Sequence, residues 1–124
     1  MENVTKVDFV TALKARTKKF VLDAIRFYQM LPKTEEGRVI GRQFIRSASS
    51  VGANYRAACR SRSKAEFYSK LSIVIEEADE TAFWIEVLGE SGITDTEKIN
   101  PLLKEANEIL AIMAKARKTI SNSK

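Results

Sequence analysis

The chain has no histidine. That absence removes imidazole bases, imidazole metal ligands and every Ser-His or Cys-His pair at once. Its one cysteine, Cys59, closes no internal disulfide and cannot build a Cys-based zinc site. Cys59 reads instead as a small residue, buried or half-buried. Five glycines and two prolines in 124 residues are too few for a loop-rich or all-β chain. No apolar run approaches the ~18 residues of a transmembrane helix, so no membrane association is expected. Met1 to Val10 carries Glu2 and Asp8 and lacks the apolar stretch of a signal peptide. The expected compartment is the cytoplasm.

What is present is an ordinary globular balance, 44% hydrophobic and 30% charged, in a length that suits one domain over 1–124. The net charge of +5 hides a strong segregation. Residues 1–32 carry net +3, residues 33–64 net +6, residues 65–97 net −8 and residues 98–124 net +4. Two readings follow. Adjacent helices can pair their charges within a bundle, or a basic surface can be kept for nucleic acid with the acidic block elsewhere.

Apolar periodicity predicts four helices, at about 7–30, 35–60, 64–89 and 101–120. Thr5 with Asp8 is a variant capping box for the first. Phe9, Leu13, Phe20, Ile25 and Phe27 are its main apolar residues, and Pro32 ends it. Thr34 caps the second, and Glu35 and Glu36 suit its positive end. At ~100° per residue Ile40, Phe44, Ala48, Val51, Tyr55 and Ala58 share one face, the expected core stripe. Ser47, Ser50 and Gly52 mark a close helix approach. Ser63-Lys64-Ala65-Glu66 is a capping box for the third helix, whose stripe is Phe67, Leu71, Val74, Ala78, Ala82 and Ile85. Gly89 and Gly92 should stop it. Thr94-Asp95-Thr96-Glu97 offers a separate turn, and Pro101 fits as the first residue of the fourth helix after an Asn100 cap. Four such helices joined by short loops give an all-α, up-down-up-down antiparallel bundle.

Few constellations carry chemistry. Glu66, Glu77 and Glu80 lie within a ~60° arc of the third helix. A di-iron bundle needs Glu-x-x-His motifs, which a histidine-free chain lacks, so no metal and no cofactor is expected. The glutamates suit ion pairs, Glu66 with Lys70 at i,i+4 and the others with arginines of the neighbouring helix. Ser47, Ser49 and Ser50 cluster, with no base to activate them. Gly37-x-x-x-Gly41 lies inside a helix and lacks the strand and Gly-Lys-Ser/Thr end of a phosphate loop. The chain is not expected to be an enzyme.

The arginines of the second helix say more. Arg38, Arg42, Arg46, Arg56 and Arg60 fall in a strip ~80° wide, and Arg62 extends it into the loop. Such a strip can follow a phosphate backbone, with Lys18 and Lys19 as additions. Beside the core stripe runs a polar one, Gln43, Arg46, Ser50 and Asn54, which should meet another helix inside the bundle or across an oligomer contact. Trp84 and Ile73, on the outer side of the third helix, also point to self-association, because aromatic side chains favour interfaces.

Leu31-Pro32, Glu36, Gln43 and the run Arg46-Ser47-Ala48-Ser49-Ser50-Val51-Gly52-Ala53-Asn54-Tyr55-Arg56 resemble the signature of proteins encoded by intervening sequences of 23S ribosomal RNA genes. Glu66-Phe67, Lys70-Leu71-Ser72-Ile73, Glu77-Ala78-Asp79-Glu80-Thr81 and Trp84 match its second half, so the likeness spans about residues 7–120. Ala57-Ala58 stands where the family usually has an acidic residue. The resemblance implies a four-helix bundle in a ring-like homopentamer with a central channel, and no established enzymatic activity. The family is similar to accessory variability proteins of diversity-generating retroelements, basic pentamers that bind a reverse transcriptase and nucleic acid. The expected function is therefore a non-catalytic homo-oligomer that binds RNA or DNA through the arginine strip. The rival readings are a protein scaffold or accessory subunit of a reverse transcriptase, and arginines spent on Glu66, Glu77 and Glu80 in subunit assembly.

Overall fold

A computed structural model describes residues 6–122. Four helices follow one another: α1 Lys6–Gln29, α2 Glu35–Ala58, α3 Lys64–Glu90 and α4 Thr96–Asn122. The described residues contain no strand. Each helix packs on two neighbours, α1 on α2, α2 on α3, α3 on α4 and α4 back on α1. The three short connections reverse the chain each time and produce the antiparallel bundle. Among the described residues no helix is long and apolar enough to cross a membrane.

The caps lie where hydroxyl side chains can satisfy free backbone donors. Thr34 Oγ1 accepts from the Gly37 amide at 3.1 Å and Ser63 Oγ from the Glu66 amide at 3.1 Å. The expected cap at Thr5 lies outside the described residues. At the far end of α3, Ser91 is the C-cap and Gly92 follows with φ +79°, a conformation that side chains disfavour. Gly89 does not stop α3 but lies within it, where a Cβ would come within 2.5 Å of Ile99 Cδ1.

The core is an apolar column with Phe20, Phe44, Leu71, Ile85, Ile109 and Met113 among its fully buried side chains. On α2 it contains Phe44, Ala48, Val51, Tyr55 and Ala58 as the periodicity requires, with Ile40 half-buried at its edge. Burial holds the Tyr55 phenol above its ordinary pKa, and a hydrogen bond with half-buried Cys59 adds to the rise. Ser47 is buried and donates to the Phe44 carbonyl. Gly52 faces α1, where a Cβ would lie 2.7 Å from Val21 Cγ2. Of the small residues, Gly52 thus marks the α1–α2 approach, while Ser47 and Ser50 bond within α2. On α1 the periodic reading was looser: Phe9 and Ile25 are exposed, and Thr17 and Ala24 occupy core positions between Leu13 and Phe20 and beyond.

The fourth helix departs from expectation. It starts at Thr96, with no break at Asn100, and Pro101 lies inside it. The Asp95 carbonyl accepts from the Lys98 amide at 3.1 Å and so opens the first turn before the proline. Ile99 supplies the reason, since it is buried against Gly89 of α3. Packing of that side chain outweighs the one ladder bond that Pro101 cannot make to Glu97.

Candidate nucleic-acid interface

The arginine strip faces away from the core along the outer side of α2. Arg38, Arg42, Arg46, Arg56, Arg60 and Arg62 are all exposed. Arg60 lies in the turn after α2 rather than in its last turn, and its amide bonds the Ala57 carbonyl at 3.0 Å. The strip has two edges. One looks toward α1 and the other toward α3.

On the α3 edge Arg46 is already occupied. Its guanidinium donates to Glu77 at 3.2 Å and to Glu80, and Trp84 Nε1 donates to Glu80 at 3.0 Å. The indole hydrogen bond, with Arg46 beside it, holds the Glu80 carboxyl below its ordinary pKa. Arg46 is correspondingly harder to deprotonate than a free guanidinium, chiefly through its bond to Glu80. Arg46 is thus charge-compensated within the chain. Glu66 and Lys70, at the spacing of a helical pair, make no ion pair among the described residues.

On the α1 edge the result is opposite. Arg56 and Arg60 meet Lys14 and Lys18 around a groove of about 580 Å³ between α1 and α2. Ser49, Gly52 and Ala53 line its α2 side, so the wall is low. Among the described residues no carboxylate lines the groove. Arg38, Arg42, Arg56, Arg60 and Arg62 make no ion pair among the described residues. Four cations around one groove without a counter-charge create a positive potential that an anion relieves. Lys14 was missed at the sequence level. Its place one helical turn before Lys18 was the available signal.

Lys19 belongs elsewhere. It pairs with Asp23 at 2.7 Å, Arg26 holds the same carboxylate at 3.1 Å, and all three line the groove between α1 and α4. That seam is bridged by Arg16, whose guanidinium bonds Glu105 at 2.7 Å and Glu108 at 3.1 Å. These carboxylates, Glu105 first, raise the Arg16 pKa. The polar stripe on α2 meets α3 through Arg46 and otherwise bonds within its own helix. Asn54 Nδ2 donates to the Ser50 carbonyl at 2.9 Å and to its hydroxyl at 2.7 Å, while Gln43 is exposed. On α3, Trp84 is half-buried against the core and donates to Glu80, whereas Ile73 and Phe83 are exposed. Phe83 stacks edge-on against Trp84 with ring centres 4.9 Å apart. Among the described residues no cluster of His, Cys, Asp and Glu could hold a metal ion.

The fold and this face define a four-helix-bundle protein with one uncompensated basic side and one acidic helix. Its family follows from direct comparison. Residues 12–115 match the model of the 23S rRNA-intervening sequence protein family, and the chain belongs to that family. It is also similar to a crystal structure of a protein of unknown function from the S23 ribosomal protein family of Bacteroides thetaiotaomicron VPI-5482. The two are 28% identical, the match covers 88% of this chain and 97% of that one, and the TM-score is 0.82. No curated protein sequence is similar to this one.

Proposed function

We propose that this protein is a non-catalytic, cytoplasmic homo-oligomer that binds RNA or other nucleic acid through the basic face of α1 and α2. One observation carries the reading. Lys14, Lys18, Arg56 and Arg60 converge on a groove that no carboxylate among the described residues lines, and Arg38 and Arg42 continue the face with no ion pair among those residues. Long cations in such a groove contact phosphates with little base readout, and counterion release drives binding. Self-association is supported by exposed apolar residues on two helices outside that groove, Ile25 of α1 and Ile73 and Phe83 of α3. The ring is proposed as a pentamer, the assembly implied by the resemblance in the sequence.

One set of measurements on the purified protein tests both parts. Light scattering should give the mass of five 14.0 kDa chains. A labelled RNA should bind at low salt, Arg56→Glu/Arg60→Glu should abolish binding, and Arg46→Ala should leave it nearly unchanged. A monomeric mass contradicts the assembly. Absence of binding at low salt contradicts the ligand and leaves the scaffold reading, in which the face docks an acidic protein surface such as one on a reverse transcriptase.

A further inference from the structure

We infer that the ligand of the basic face is double-stranded RNA, gripped at two points about one helical turn apart. The inference rests on the nucleic-acid reading above and names its ligand. Along α2 the outward charge is basic, then compensated, then basic. Arg38 and Arg42 form the first cluster, and Arg56 and Arg60 form the second with Lys14 and Lys18 of α1. Between them Arg46 is held by Glu77 and Glu80, and Ser49 and Ala53 are uncharged. At 1.5 Å per residue the midpoints of the two arginine pairs are about 27 Å apart along the helix.

A single strand offers phosphates continuously and gains nothing from a neutral middle. A duplex brings the same strand back to one side once per helical turn, so two contacts a turn apart can hold one strand. The repeat in B-form DNA is ~34 Å, longer than the separation of the clusters. The more compact A-form helix of RNA fits it better, and such helices are recognised by shape and backbone contacts. The composition of the face agrees. Tyr68 and Phe83, both exposed, belong to α3 and not to this face, and no aromatic residue lines the α1–α2 groove. Base stacking, the main support of single-strand binding, is therefore missing. The Ser49 hydroxyl is bonded to the Ile45 carbonyl at 2.7 Å, so the groove lacks a free base reader there as well.

The test is fluorescence anisotropy with the full chain at one salt concentration. The probes are an RNA duplex of about 16 base pairs, one of about half that length, a DNA duplex of the longer length, and single-stranded RNA. The long RNA duplex should bind tightest, by roughly tenfold over the short duplex and the single strand, as expected when a cluster of phosphate contacts is lost. Arg38→Ala/Arg42→Ala should remove the advantage of length while short-duplex binding persists. Arg56→Ala/Arg60→Ala should weaken both lengths. Circular dichroism on each variant checks that the helices are retained. Single-stranded RNA or the DNA duplex binding as tightly as the long RNA duplex overturns the inference and leaves the broader reading intact. So does a length advantage that survives in Arg38→Ala/Arg42→Ala. Failure of every probe to bind at low salt removes the broader reading, and this one with it.

Discussion

Arg46 and Arg56 lie on one strip of one helix, yet their surroundings assign them different work. Arg46 reaches α3, where Glu77 and Glu80 hold it and Trp84 holds Glu80 in turn. Arg56 reaches α1, where Lys14 and Lys18 share its groove. The first arrangement has a pH consequence. The Glu80 carboxyl is held below its ordinary value of 4.5. Its contribution to stability is fully present above that value and is lost as pH falls through the lower folded value. The cluster is partly exposed, so its worth is about 0.5–1 kcal/mol. Glu80→Gln should lower the melting temperature at pH 7, and its gap to the parent protein should narrow as pH falls below 4.5. A constant gap between the two melting curves down to pH 3 would contradict the assigned role. The arginine strip was legible in the sequence because helical spacing alone aligns it. Which of its members are free was not, because that depends on what the neighbouring helices present. Glu77 and Glu80 were read as partners for arginines, but periodicity could not single out Arg46. Lys19 pairs with Asp23 at i,i+4, a spacing the sequence does show, whereas its place on the α1–α4 groove emerges only from the packing of α1.

Among the helices, α2 and α3 were the most legible. Thr34 and Ser63 cap where hydroxyl residues precede an apolar period, and the stripes from Phe44 to Ala58 and from Leu71 to Ile85 are buried. The start of α4 was not legible. Local chemistry favours a stop before Pro101, and burial of Ile99 against α3 overrides it. An interior proline costs a helix about 3 kcal/mol. Its restriction of the unfolded chain returns only about 0.4–1 kcal/mol. Pro101→Ala should therefore stabilise the protein by roughly 2 kcal/mol in urea unfolding, since it restores the bond to the Glu97 carbonyl. Pro101 is exposed, so no core contact is lost with the ring. A destabilised variant would mean that Pro101 starts a helix after all, as the sequence pattern suggests.

For the molecule as a whole, the segregation of charge is the feature that links sequence to function. Residues 33–64 carry net +6 and residues 65–97 net −8, and α2 and α3 pack side by side. Extensive pairing across that seam was the simple expectation. Instead the seam uses Arg46 alone of the α2 arginines, and the rest of the basic charge turns outward or toward α1. Separate basic and acidic sides cost electrostatic energy in an isolated chain and lower it when an anion binds. The salt dependence of RNA binding tests this account most directly. The logarithm of affinity should fall linearly with the logarithm of salt, with a slope of about −0.7 to −0.9 per phosphate contacted. Lys18→Ala/Arg56→Ala/Arg60→Ala should make that slope shallower by about 2 to 3, roughly one for each cation removed. A slope that is the same in the parent and in the triple variant would contradict the assignment of this face as the nucleic-acid interface.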